Sequence, residues 1–161
     1  MRYMSLDRRG QEELLAELAS MPDLLEERFR GLEAERAARR PDRDLFAPVE
    51  HCWHLADLEV EGFGERIRRL AEELEPQLPD FDGGRLAEER RYRSRPLADG
   101  IAAFRSARRA NLSRLRALTA EQWLRGGTQE GVGRLSLCDL PAMMAEHDAA
   151  HREEIETWRA T

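Results

Sequence analysis

Two histidines one helical turn apart are the residues of this sequence best placed to do chemistry. His147 and His151 lie in the last predicted helix, over 136 to 158, on a stripe that also carries Met144 and Ile155. Residues three or four positions apart share one face of an α-helix, so both imidazoles project from the same side. A pair with this spacing can present two nitrogen atoms to one metal ion.

A third ligand has to come from another segment, and the chain contains 4 histidines. The other two, His51 and His54, occupy neighbouring positions on one face of a second predicted helix, over 48 to 75. His54 would complete a three-nitrogen site, and His51 competes with it for that position. The alternative is a set of buried imidazoles held by hydrogen bonds alone, because a buried polar ring needs a partner.

Spacing argues against two better-known metal motifs. A ferritin-like di-iron site needs two inward-facing Glu-x-x-His pairs, and the sequence contains none. The segment His147-Asp-Ala-Ala-His151 is similar to the His-Glu-x-x-His of zinc proteases, but its Asp reaches less far towards a metal-bound water than Glu does. A metalloprotease is therefore not expected.

Composition and charge limit the class of protein. The 161 residues are 41% hydrophobic, enough for a single domain, 1 to 161, with a real core. All 26 basic residues are arginine and the net charge is −6, which argues against nucleic acid as a partner. No apolar run reaches the roughly 20 residues that span a bilayer, and Cys52 and Cys138 form no CxxC motif. We expect a cytoplasmic protein without a membrane partner.

Helical periodicity dominates the chain, and no strand-like alternation stands out. Ala, Leu, Glu and Arg are abundant, which favours helix. The sequence therefore predicts an all-α protein, a four-helix bundle. The core helices are predicted over 20 to 39, 48 to 75, 97 to 118 and 136 to 158.

Prolines and glycines punctuate these helices. A helix over 5 to 19 is predicted as an N-terminal extension, residues 1 to 19, and Pro22 fits the first turn of the next helix. Whether the two pieces form one kinked helix or two stays open. Gly62 and Gly64 indicate close packing or a bend within the second core helix. The segment 76 to 96 predicts a long crossover between the second and third core helices.

Arg108 is a polar residue in the middle of the apolar face of the third core helix. If it faced the same cavity as the histidines, it could pair with a carboxylate of a substrate, which makes it a candidate catalytic residue. The alternative is a side chain that reaches solvent or pairs with a Glu. Carboxylates would also fix the histidine tautomers, and Glu50, Asp57 and Asp148 are the near candidates in sequence.

Several of these motifs, in this order, resemble the DinB/YfiT-like superfamily. The resemblance rests on Glu50-His-Cys-Trp-His54-Leu-Ala-Asp57-Leu-Glu59, the Phe104-to-Arg108 spacing, Trp123 with the Gly-rich connection, and His147-Asp148-Ala-Ala-His151. It extends from about residue 20 to 158.

The resemblance implies an up-down-down-up bundle with a long crossover. It implies a divalent metal held by His54, His147 and His151, with nickel or zinc first and iron or manganese as alternatives. Characterised relatives include thiol-dependent transferases and isomerases, and members are often homodimers. The function expected is therefore a metal-dependent enzyme, a thiol S-transferase or a related enzyme acting on a small molecule with a low-molecular-weight thiol. The alternatives are a metal-dependent hydrolase and a non-catalytic bundle with a structural histidine network.

Overall fold

Long helical segments form most of the protein. The computed structural model describes residues 2 to 158. Its helices are α1 (Arg8–Phe29), α2 (Ala34–Ala37), α3 (Pro48–Asp57), α4 (Glu65–Glu72), α5 (Gly83–Glu89), α6 (Leu97–Ala117), α7 (Ala120–Trp123) and α8 (Leu140–Thr157). A π-helical segment, Leu58–Gly64, joins α3 to α4, so that one helical path runs through most of the predicted second core helix. Among the described helices, none is long and apolar enough to cross a membrane.

Contacts between the long helices give their directions. Gly100 packs against Cys52 and Gly64 packs against Asn111, so the path from α3 to α4 runs parallel to α6. The side chain of Arg28 donates a hydrogen bond to the carbonyl of Glu156, and Phe29 packs against Trp158, so the C-terminal ends of α1 and α8 lie together.

The helices α1 and α6 are antiparallel, since Asp23 pairs with Arg105 and Leu18 with Arg108. The helices α3 and α8 are also antiparallel, because His51 meets His151 and His54 meets His147. The order is up-down-down-up, which confirms the predicted all-α bundle. Two consecutive parallel helices cannot be joined by a short hairpin, and this explains the long crossover.

The first helix is continuous, which settles the question that the sequence left open. Its N-cap is Asp7, whose side chain accepts a hydrogen bond from the backbone N–H of Gly10. Residues 8 to 19 are therefore the first half of α1, with Leu15 and Leu18 fully buried, rather than an extension beside the bundle. Pro22 lies inside the helix instead of at its start.

A small sheet corrects the prediction that the chain contains no strands. Its strands are β1 (Gln77–Leu78), β2 (Gly126–Gln129) and β3 (Gly133–Ser136), with β1 parallel and β3 antiparallel to β2. Strands of two and four residues are too short to show alternation, and glycines occupy half of β2. Gly127 is required there, because a Cβ atom would lie 2.5 Å from the carbonyl of Pro76.

Apolar side chains fill two clusters along the bundle. One cluster contains Leu112 and Leu115 of α6, and the other contains Ile101 and Phe104 of the same helix. Arg108 lies between them on the same helix and is only 1% exposed. The core is thus divided by a buried polar layer, close to the helices that carry the histidines.

Candidate metal centre

Four imidazole rings meet between α3 and α8. His51 and His54 come from α3, and His147 and His151 come from α8. The Nε2 atom of His147 lies 3.3 Å from that of His54 and 3.2 Å from that of His151. The fourth ring makes a different contact, since His51 Nδ1 lies 2.8 Å from His151 Nδ1. The structure therefore brings all four predicted histidines together. It also distinguishes His51, which contacts its neighbour through Nδ1, from His54, which does so through Nε2.

The Nε2 distances fit one shared cation. Zinc–nitrogen bonds of about 2.0–2.1 Å at tetrahedral angles place two ligand nitrogens about 3.3–3.4 Å apart. The observed 3.2 and 3.3 Å match this separation and are long for an N–H···N hydrogen bond. His54, His147 and His151 can each offer one nitrogen to an ion, with the three atoms within 4.8 Å of one another.

Aromatic rings and a glycine surround the histidines. Phe46 packs against His51, His54 and His151, with ring centroids 5.2 to 6.3 Å apart. Gly83, at the start of α5, lies so close to His54 that a Cβ atom there would be 2.4 Å from its Cε1. Both residues come from connections rather than core helices. They place the imidazoles in an apolar environment in which charge interactions are strong.

Burial keeps these imidazoles neutral. It lowers the pKa of His54 to about 3 and that of His51 to about 4. It also lowers the pKa of His147 and of His151, and at His151 the neighbouring imidazoles add to the effect. Neutral rings present lone pairs, which is the form that binds a metal ion.

This pKa shift predicts acid destabilisation of the metal-free protein. The unfolded chain protonates His54 near pH 6.5 and the folded chain only near pH 3, so the unfolded chain binds more protons in between. The free energy of unfolding should therefore fall as the pH decreases, by about 1 kcal/mol for His54 alone between pH 6.5 and 5.5. Urea denaturation at several pH values measures this, with His54→Leu as the control that shows a shallower dependence. Equal slopes in the two proteins would contradict the assignment.

A cavity of about 350 Å³ opens beside His51 and Glu154. Aromatic and arginine side chains form much of its wall: Phe46, Trp158, Arg36, Arg39 and Arg40. Glu154 lies one turn after His151, with an Oε2 atom 3.5 Å from His51 Nε2. The cavity wall includes none of the three histidines that share Nε2 contacts, and Phe46 borders both the cavity and those rings.

Arg108 does not face this cavity, which corrects its proposed catalytic role. It donates to both oxygens of Glu59, at 2.8 and 3.0 Å, and to both oxygens of Asp148, at 2.6 and 3.0 Å. A fifth bond, of 2.8 Å, goes to the carbonyl of Leu18. A guanidinium has five N–H donors, and all are used. Arg108 therefore has no donor left for a substrate carboxylate.

Pro22 explains the fifth of these bonds. Proline has no N–H, so the helical hydrogen bond that residue 22 would donate to the Leu18 carbonyl cannot form. A buried carbonyl without a donor is costly, and Arg108 supplies the missing donor. The unbroken helix α1 and the buried arginine on α6 thus depend on each other.

The polar layer also explains how the buried Glu59 carboxylate is paired and why residue 64 is a glycine. Burial raises the pKa of the Glu59 carboxyl, and the bonds from Arg108 and Asn111 oppose this shift. Asn111 also donates to the Glu59 carbonyl, at 2.7 Å, within the π-helical segment. A Cβ atom at position 64 would lie 2.7 Å from that carbonyl, so this approach requires Gly64. Of the two possibilities that the sequence left at this glycine, close packing or a bend, the structure shows close packing.

The three carboxylates expected to orient the histidines have other partners. Glu50 accepts two bonds from Arg40, Asp57 accepts from Arg90 and Tyr92, and Asp148 accepts from Arg108. Among residues 2 to 158, the carboxylate that lies next to an imidazole nitrogen is Glu154. Sequence reasoning missed it, although its position three residues after His151 put it on the same helix face.

The fold and the histidine cluster together define a four-helix bundle able to bind a metal ion. The DinB superfamily pattern matches residues 17–155, and the chain belongs to the DinB superfamily. This confirms the resemblance carried by the sequence motifs.

The fold is similar to that of a solved structure over nearly the whole chain. That structure is YfiT from Bacillus subtilis, described as a probable metal-dependent hydrolase with an unusual four-helix bundle topology. The two chains are 16% identical and superpose with a TM-score of 0.84 over 94% of this chain and 86% of YfiT. At this identity the likeness shows the fold alone. None of the curated proteins matches the chain.

Proposed function

We propose that the protein is a metal-dependent enzyme in which His54, His147 and His151 hold one divalent cation, nickel or zinc. The observation that supports this most is the meeting of three Nε2 atoms, with neighbouring distances of 3.2 and 3.3 Å, beside the rings of phenylalanines. Three neutral ligands leave coordination positions open, as expected of a catalytic rather than a structural site. The leading reaction is thiol-dependent group transfer to a small molecule.

The ligand set favours a bound anion. When bound, a divalent cation supplies Lewis acidity that promotes ionisation of a thiol or a water molecule. The three neutral imidazoles do not reduce the positive charge at the centre, and the rings of Phe46, Phe63 and Phe81 limit the water around the histidines. A thiolate would gain most from such an environment.

The cavity beside Glu154 supports a small substrate with an anionic group. Arg40 is neutralised by Glu50, and Arg39 forms an exposed pair with Glu35 that is worth little. Arg36 pairs with no carboxylate among the described residues and is half-buried in the wall. It is therefore better placed than Arg108 to bind a substrate carboxylate.

A thiol-transfer assay tests this proposal. Metal-free protein would be reloaded with zinc or nickel and incubated with cysteine and an alkyl halide, so that a C–S bond forms, halide leaves and the thiol proton passes to the buffer. We expect thioether formation that depends on the metal and is absent in His147→Ala. Mass spectrometry detects the thioether product. The matched control is Glu146→Ala, an exposed neighbour on the same helix. Thioether yields no higher than those without protein would contradict the proposal.

Metal-dependent hydrolysis is the second candidate. It draws support from Glu154, a carboxylate within reach of the histidine cluster through His51, and from the description of YfiT. Hydrolysis of an activated ester by the same metal-loaded samples, without thiol, would favour it. The homodimer and the cytoplasmic location stay predictions.

A further inference from the structure

His51 contacts the histidine cluster in a way that differs from the other three rings. Its Nδ1 atom lies 2.8 Å from His151 Nδ1, which is the length of an ordinary hydrogen bond and shorter than the Nε2 contacts of 3.2 and 3.3 Å. Two ring nitrogens at this distance require one proton between them. One ring therefore donates from Nδ1, and the other accepts there.

The metal-binding role of His151 decides which ring donates. A neutral imidazole carries one proton, and binding a cation through Nε2 places that proton on Nδ1. His151 must then donate to His51 Nδ1, which leaves the single proton of His51 on Nε2. That atom faces an Oε2 oxygen of Glu154, 3.5 Å away. The proton positions are consistent along the whole path from cation to carboxylate.

We infer that His51 and Glu154 are positioning residues, which hold His151 in the tautomer and ring orientation that binds the cation. The inference rests on the proposed function, since it assigns a partner to one of the three proposed ligands. Hydrogen-bond partners of this kind are usual for metal-binding histidines, where they fix the tautomer. Here the direct hydrogen-bond partner of His151 is a second histidine, His51, and the carboxylate of Glu154 lies next to His51.

The other two ligands show why this partner matters. Within the described part of the chain, the Nδ1 atoms of His54 and His147 are buried without a hydrogen-bond partner. Packing alone orients those rings, for example Gly83 against His54. His151 is thus the ligand whose orientation a hydrogen bond can set. His51 is itself fixed, being 3% exposed and packed edge-on against Phe46.

A second cation held by His51, His151 and Glu154 is the competing interpretation of the same atoms. The separation of 2.8 Å between the two Nδ1 atoms is well below the roughly 3.3 Å expected of tetrahedral ligands. Binding two cations would also require His151 to lose both ring protons. A hydrogen bond between the two Nδ1 atoms explains the short separation, and it leaves His151 with one ring proton.

Two substitutions of similar size test the inference. In His51→Asn the amide Oδ1 takes the place of Nδ1 and can accept the bond from His151, whereas in His51→Leu a methyl group occupies that position. We expect zinc affinity, measured by competition with a chromophoric chelator, to fall about 10- to 100-fold in His51→Leu. The fall should be much smaller in His51→Asn and intermediate in Glu154→Gln.

A spectroscopic measurement separates positioning from packing. Long-range ¹H–¹⁵N correlation spectra of the zinc-loaded proteins should show His151 protonated at Nδ1 in the wild type and in His51→Asn. In His51→Leu the Nδ1 proton should lose its protection from exchange. Equal losses of zinc affinity in the two variants would mean that His51 only fills space, and unchanged affinity in His51→Leu would also overturn the inference.

Different results would refute the positioning role of His51 and the proposed metal site. A wild-type protein that binds no zinc would overturn both. A wild-type protein that binds zinc tightly, with unchanged affinity in His51→Leu, would overturn the positioning role and leave the metal site intact. Two zinc ions per chain in the wild type, and one in His51→Leu, would replace the hydrogen bond by the second cation site.

Discussion

Replacement of His147 by alanine should abolish divalent-metal binding. The Nε2 atom of His147 lies between those of His54 and His151, at 3.3 and 3.2 Å, so its loss leaves two nitrogens without their common neighbour. The fall in affinity should exceed the roughly 100-fold that changes outside the ligand set produce. Chelator competition and elemental analysis of the purified protein measure it.

The control for this prediction lies on the same helix. Glu146 is exposed and precedes His147, so Glu146→Ala changes charge and helix composition without touching the cluster. Its zinc affinity should stay close to that of the wild type. Undiminished metal binding in His147→Ala would mean that the ion is held elsewhere, and the proposed site would be wrong.

Replacement of Arg108 by methionine should cost about 3–5 kcal/mol in the free energy of unfolding, the range for breaking a buried ion pair from one side. The substitution leaves Glu59 and Asp148 buried without their shared cation. It also removes the donor to the Leu18 carbonyl, which has no helical partner because of Pro22. Urea denaturation of the metal-free protein measures the loss.

Arg105 provides the matched control on the same helix. Its ion pair with Asp23 is partly exposed, with side-chain exposures of 29% and 72%, so Arg105→Met should cost about 1 kcal/mol or less. Adding Glu59→Gln and Asp148→Asn to Arg108→Met should recover part of the loss, because both substitutions remove uncompensated charge. Equal costs for the two arginine substitutions would contradict the account of the buried layer.

The helices and the pairing of His147 with His151 were predictable because helical periodicity is a local property. The residues that share a face follow from spacing alone, and they predicted the third core helix nearly to the residue, whereas the last begins at Leu140 rather than at 136. The choice between His51 and His54 was not predictable from spacing. Both lie on one face of α3, and only the approach of α8 determines that one meets an Nε2 atom and the other an Nδ1 atom.

The remaining differences between sequence and structure come from contacts across the chain. Phe46 and Gly83 lie in connections, and no local pattern shows that they pack against the histidines. The continuity of α1 through Pro22 depends on Arg108, which is distant in sequence. Arg108 itself carried a usable signal, since a cation on an apolar face needs buried acids, and Glu59 and Asp148 were available.

X-ray absorption spectroscopy of the zinc-loaded wild-type protein tests the central claim most directly, because it reports the atoms bound to the ion. We predict three imidazole nitrogens at about 2.0–2.1 Å, with the remaining coordination filled by an exchangeable oxygen ligand such as water. A first shell dominated by carboxylate oxygens, or one with sulfur from Cys52 or Cys138, would show that the meeting of His54, His147 and His151 is not the metal site.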